Sequence, residues 1–125
     1  MKTRLTLHCL PPSVNHIYRH KRGGGVVKTE AYRTWANGEG YSLNRQLANQ
    51  AKFAGPVYVT IAMRRPNSRS DLDNRLKGIG DLLQEVGAIS NDKEIMGWNA
   101  FWSAHLPDGV AAEISIVQAD ALEAA

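Results

Sequence analysis

Hydrophobic and polar residues alternate along this chain with two different periods, and the places where the period switches mark out its elements. Thr3, Leu5, Leu7 and Cys9 alternate with Lys2, Arg4, Thr6 and His8, the period of a half-buried strand, which Pro11-Pro12 stops. Residues 13–28 carry glycine punctuation and basic side chains and read as a long loop. Thr29 is placed to cap a helix over 30–51, with Tyr32, Trp35, Leu43 and Leu47 on its apolar side. Gly38 and Gly40 weaken that helix by roughly 1 kcal/mol each relative to alanine, so a bend or break is expected there.

After Gly55-Pro56 the period of two returns: Val57, Val59, Ile61 and Met63 alternate with Tyr58, Thr60, Ala62 and Arg64. Leu72, Leu76, Ile79, Leu83 and Val86 then follow helical spacing, and Gly87 can end that helix. Met96, Trp98, Ala100, Trp102 and Ala104 line one side of a further strand, and Val110, Ala112, Ile114 and Ile116 one side of the last. Pro107-Asp108-Gly109 supplies the turn between them. The order strand, helix, strand, helix, strand, strand predicts an α/β (α+β) fold. It should be a single domain over 1–125, with a mixed sheet, two main helices packed against it and a C-terminal antiparallel hairpin.

Composition narrows the class of protein. Of 125 residues, 43% are hydrophobic and 22% charged, which suits an ordinary globular domain with a core of its own. Cys9 is the only cysteine, so no internal disulfide or cysteine-based zinc site can form, and a reducing cytoplasm is expected. The first apolar stretch is interrupted by His8 and stopped by Pro11, short of signal-peptide length, and no run approaches a membrane span. The net charge of +3 hides an asymmetry: residues 1–55 hold nine Lys/Arg against two Glu, residues 56–125 six against ten acidic residues. On charge alone the basic half reads as a solvated surface; nucleic acid becomes the stronger reading if the acidic half holds a metal, because nucleases need both features.

The carboxylates centre on Asp71-Leu72-Asp73. One reading is structural: an Asp at a helix start caps free N–H groups, and Asp73 with Lys77 forms an i,i+4 pair worth about 0.2–0.5 kcal/mol. The other is chemical. In an extended entry to the helix, residues two apart point to one side, so Asp71 and Asp73 converge while Leu72 enters the core. Two like charges this close call for a divalent cation, and hard oxygen ligands favour magnesium or manganese over zinc. Lys77, one turn on, faces the same side, and a metal with a nearby lysine suits phosphodiester hydrolysis.

Asn91-Asp92-Lys93-Glu94 is the second acidic cluster, a polar turn in its simplest reading. Asp92 is its first candidate for a third ligand and Glu94 the next. Asp81 shares the Asp73 face, but eight residues of helix are about 12 Å, too far to share one ion, so Asp81 is expected to be dispensable. Asp92 poses its own difficulty. A helix over 74–86 carries the chain about 19 Å from Asp73, and the steps from Gly87 to Asp92 span at most roughly 16–18 Å. A site within one subunit is preferred, with a partner subunit supplying Asp92 as the alternative.

Other candidates carry less. His16 and His20 have i,i+4 spacing without helical signals, His8 and His105 read as strand-face residues, and Cys9 as core. The triplet Gly23-Gly24-Gly25 lacks the lysine and Ser/Thr of a phosphate-binding loop.

These motifs, taken in order, resemble the RusA family of crossover junction endodeoxyribonucleases, found in bacteria and their prophages. Leu10-Pro11-Pro12-Ser13-Val14-Asn15 followed by Tyr18 is similar to the family's N-terminal motif, Asp71-Leu72-Asp73-Asn74-x-x-Lys77 to its active-site pattern, and Asn91-Asp92 to the position of its third aspartate. The resemblance covers most of the chain. It implies magnesium at Asp71, Asp73 and Asp92, with manganese as a substitute, and a catalytic role for Lys77. It further implies a homodimer that resolves four-way (Holliday) junctions by paired nicks, in DNA recombination and repair. The glycine triplet departs from the family's expected loop. DNA contacts are expected from Asn15, Tyr18, Arg19, His20, Lys21, Arg22 and Lys28, and from Arg69 and Arg75 beside the acidic motif; such contacts neutralise phosphates and are largely indifferent to sequence. Two other readings stand beside this one: a non-catalytic DNA-binding protein with a basic N-terminal half, and a small-molecule phosphate hydrolase, which would need a closed pocket.

Overall fold

A computed structural model of the chain describes residues 1–119. Six strands and two helices follow one another: β1 (Lys2–Leu7), β2 (Tyr18–His20), β3 (Val26–Lys28), α1 (Glu30–Leu47), β4 (Val57–Met63), α2 (Leu76–Glu85), β5 (Ile95–Trp102) and β6 (Ala112–Gln118). The main sheet has the order β1-β6-β4-β5, with β4 and β5 parallel and the other pairs antiparallel. It is a mixed sheet, as the pattern predicts.

Period two on the strands and 3.6 on the helices place the apolar residues in one layer. Leu5, Leu7, Val57, Val59, Ile61, Met63, Ile114 and Ile116 face Tyr32, Leu43, Leu47, Ile79, Leu82 and Leu83, all buried in one cluster. The two helices meet at Gly40, where an added Cβ would sit 3.7 Å from both Leu82 Cδ1 and Val86 Cγ1. Neither Gly38 nor Gly40 breaks α1, because that contact holds the helix across its weak middle. Thr29 caps α1 as expected, its hydroxyl accepting the Tyr32 N–H at 3.2 Å. The helix stops at Leu47, before the expected Ala51. Gln46 and Gln50 then bond the backbone of Arg4 and Thr6, covering the free edge of β1.

Several sequence expectations are corrected here. The loop over 13–28 contains a two-stranded hairpin, β2 with β3, closed by Gly23, Gly24 and Gly25 at φ of 90°, 107° and 80°. Strands of three residues are too short to show a period, which is why the pattern missed them. The last two strands run antiparallel and are joined through the Pro107–Gly109 turn, but β4 lies between them, so the hairpin is a split one. Parallel pairing of β4 with β5 through α2 accounts for this. Met96 is exposed rather than inward, since the register slips between Val57/Ile95 and Tyr58/Gly97 and puts Ile95 in its place. Cys9, His8 and His105 lie outside the strands, and Cys9 is exposed. Gly87, at φ 79°, ends α2 as predicted.

Candidate active site

The site is built on α2, and α2 is held in place by the N-terminal motif. Gly78 packs directly under the proline pair: a Cβ there would lie 2.9 Å from Pro11 Cβ and 3.4 Å from Ile17 Cδ1. Arg75, just before the helix, donates from Nη1 to the Pro11 carbonyl, and its Nε is buried. Arg75 is therefore a tie between loop and helix, with one of its N–H groups taken by the Pro11 carbonyl.

Along one side of α2, Lys77, Asp81 and Glu85 follow one another at i, i+4 and i+8. Lys77 Nζ donates to Asp81 Oδ1 at 2.9 Å and to Asp92 Oδ2 at 3.1 Å. Asp81, whose side chain is only 8% exposed, also accepts the Tyr18 hydroxyl at 3.2 Å and lies 3.6 Å from Lys28 Nζ, both on its Oδ2. Lys28 Nζ donates to Glu85 Oε1 at 2.8 Å and sits 4.4 Å above the Tyr32 ring, whose hydroxyl donates to the same Glu85 oxygen. The hydrogen bond to Asp81 is the main reason that Lys77 holds its proton well above the usual lysine range, against the opposing effect of burial, with Asp92 adding to it.

The chain does return for Asp92. A turn over Asp92–Glu94, capped by Asn91 Oδ1 on the Lys93 N–H, brings Asp92 beside Gly80, and the Asp92 N–H donates to Gln84 Oε1 at 2.9 Å. Asp92 thus meets Lys77 within one subunit. It lies against the middle of α2, which relieves the taut path that the spacing suggested.

Asp71 and Asp73 are exposed on the approach to α2. Leu72 packs on the core as expected, but its φ of −61° and ψ of −50° are helical, so the extended entry that would alternate side chains is absent. Asp73 begins a 3₁₀ turn over Asp73–Arg75, and that tighter winding takes it off the α-helical i,i+4 step to Lys77. The expected Asp73–Lys77 pair is replaced by Lys77–Asp81. Asp71 Oδ2 accepts from Asn74 Nδ2 at 3.2 Å, and neither Asp71 nor Asp73 forms an ion pair among the described residues. Hard, uncompensated carboxylate oxygens suit magnesium in kind. Their arrangement does not complete a site: among the described residues no three carboxylate, histidine or cysteine side chains gather into a group that could hold an ion.

Of the expected DNA contacts, Asn15, Arg19, His20, Lys21, Arg22 and Arg69 are exposed. The run from Arg19 to Arg22 forms the outer end of the β2–β3 hairpin. Tyr18 and Lys28, register partners at the hairpin base, are instead engaged with α2. Sequence reasoning sets Asp81 aside as dispensable, passes over Glu85 and Gly78, and reads Tyr32 only as a core residue of α1. The i, i+4, i+8 spacing of Lys77, Asp81 and Glu85 was the available signal for the first two. No helix among the described residues is long and apolar enough to cross a membrane.

Comparison with known proteins bears directly on this arrangement. The family model for endodeoxyribonuclease RusA matches residues 10–116. A crossover junction endodeoxyribonuclease RusA of Aquifex aeolicus (strain VF5) is 32% identical over 92 residues, covering 73% of this chain and 72% of that protein. The protein of the same name from Escherichia coli (strain K12) is 31% identical over 96 residues, covering 70% and 72%.

Proposed function

The chain belongs to the RusA endodeoxyribonuclease family, and from that premise we propose that it is a magnesium-dependent endonuclease that resolves four-way DNA junctions by paired nicks. The observation that carries the reading is Lys77: an ammonium fixed between Asp81 and Asp92, one helical segment away from two exposed, unpaired aspartates.

Asp71, Asp73 and Asp92 are the residues that would hold magnesium, with manganese as a substitute, once drawn closer together than they lie among the described residues. The ion would activate water and offset charge on the phosphate. The protein's own residues supply the rest. Lys77 carries a fixed positive charge that favours the phosphorane-like transition state, in which charge exceeds that of the ground state. A lysine is protonated at neutral pH, and the hydrogen bond to Asp81 favours that form further, so Lys77 offers a positive charge there. Arg19, His20, Lys21 and Arg22 at the hairpin end, with Asn15 and Arg69, offer contacts to backbone phosphates. Asp71 and Asp73 are exposed, which suits a duplex arm more than a small metabolite sealed in a pocket. A four-way junction has approximate two-fold symmetry, and two symmetric nicks call for two sites, so the active species is proposed to be a homodimer. A role in recombination and repair follows from that substrate. The test is cleavage of a synthetic four-way junction against a linear duplex of the same arm sequence, with and without magnesium.

A further inference from the structure

Asp81 is a buried carboxylate to which the mechanism above gives neither the metal nor the phosphate. A buried carboxylate needs its acceptor positions filled by partners. Asp81 has three, and its two oxygens divide them. Oδ1 faces Lys77 on its own helix at 2.9 Å; Oδ2 faces the hairpin base, with the Tyr18 hydroxyl at 3.2 Å and Lys28 Nζ at 3.6 Å. Since Tyr18 and Lys28 are paired across β2 and β3, one carboxylate joins the foot of the basic hairpin to the lysine.

The alternative holder of Lys77 is Asp92, and it is the weaker one. Its side chain is 29% exposed against 8% for Asp81, so water competes for it more effectively. Asp92 is also a proposed magnesium ligand, and a carboxylate that shares its charge with an ion holds an ammonium less firmly. Lysine has a flexible four-carbon stem, so without a second holder its charge would be spread over many rotamers. We infer that Asp81 is a positioning residue: it holds the Lys77 ammonium on the acidic side of α2 when Asp92 is engaged, and ties that position to the β2–β3 hairpin. This rests on the endonuclease reading, in which Lys77 acts on the scissile phosphate.

The experiment has a spectroscopic arm and a kinetic arm. A held ammonium exchanges its protons slowly enough to give a ¹H–¹⁵N cross-peak, assigned here by its loss in Lys77→Arg. With magnesium present, the Lys77 peak should persist in Asp92→Asn and vanish in Asp81→Asn; its survival in Asp81→Asn overturns the inference. In single-turnover cleavage of a four-way junction, Asp81→Asn should be slower by about 100-fold, the cost of an ångström of misplacement, with junction affinity changed by less than about 3-fold. The double variant Lys77→Ala/Asp81→Asn should be no slower than Lys77→Ala alone, because both changes remove one function. Penalties that multiply would assign Asp81 a merely structural part and overturn the inference. Asp81→Glu guards against a folding defect: it keeps the charge but moves it, so a native melting temperature with a rate reduced by at least about 10-fold supports positioning, and an unchanged rate contradicts it. Wild-type protein that leaves junctions intact would sink the endonuclease reading and the catalytic half of this inference, while the spectra still decide whether Asp81 holds Lys77.

Discussion

Lys77 Nζ lies 3.1 Å from Asp92 Oδ2, although fifteen positions of chain separate the two residues. The charge proposed to act on the phosphate is thus already seated beside a proposed metal ligand. Lys77→Ala should lower the single-turnover rate on a junction by about 100-fold or more while changing affinity by only a few fold, because a fixed charge of this kind acts mainly in the transition state. Lys52→Ala, at an exposed position with no ion pair among the described residues, is the control. An unchanged rate for Lys77→Ala would return this lysine to a salt-bridge role.

Asp71 and Asp73 have no ion pair among the described residues, so their removal leaves no charge unpaired there. Asp71→Asn and Asp73→Asn should each abolish cleavage, while junction binding survives or tightens as repulsion of phosphate falls. Band-shift titration beside a nicking assay checks both halves. Weakened binding with rates intact would contradict the ligand assignment.

Two glycines on α2 should respond in opposite directions to alanine. At Gly78 the new Cβ meets Pro11 Cβ at 2.9 Å, an overpacking that costs about 1–3 kcal/mol against a helix gain near 1 kcal/mol, so a net loss of about 1 kcal/mol is expected. At Gly80 the nearest atom, Trp98 Cζ2, is 3.6 Å away, an ordinary contact, so the helix gain of about 0.5–1 kcal/mol should be realised. Denaturant unfolding of the two variants checks the contrast.

High pH should loosen the hairpin base. Burial by itself would lower the Lys28 pKa, but the Glu85 hydrogen bond and the charges of Asp81 and Glu85 outweigh it and raise it above the ordinary 10.5. Burial first, then Glu85, raises Tyr32 above its ordinary 10.0. Both groups bind their protons more tightly in the folded state. Their stabilisation is therefore full below about pH 10 and is lost as the pH climbs further. The melting-temperature gap between wild type and Lys28→Met should be constant up to about pH 10 and narrow above it.

Much of this architecture could be read from the chain because strong periods reported it. β4 was legible to its end residues, α2 and its Gly87 stop nearly so, and the Thr29 cap was placed correctly. The family was legible from three short motifs in order. What escaped has physical causes. The β2–β3 hairpin is too short for a period, and Met96 is turned outward by a register slip that no pattern records. Asp81 was set aside by a distance argument about a shared ion, which did not bear on its hold over Lys77. The hold of the Pro11 carbonyl on Arg75 joins residues remote in sequence, which no local pattern reports.

The most direct test of the central claim is the magnesium dependence of junction resolution by wild type and Asp73→Asn, purified identically and assayed on one end-labelled four-way junction and its matched linear duplex. The account predicts paired, symmetric nicks in the junction from the wild type with magnesium, none with chelator, none from Asp73→Asn, and an intact duplex throughout. Equal cutting by both proteins, equal cutting of junction and duplex, or cutting that persists in chelator would contradict it.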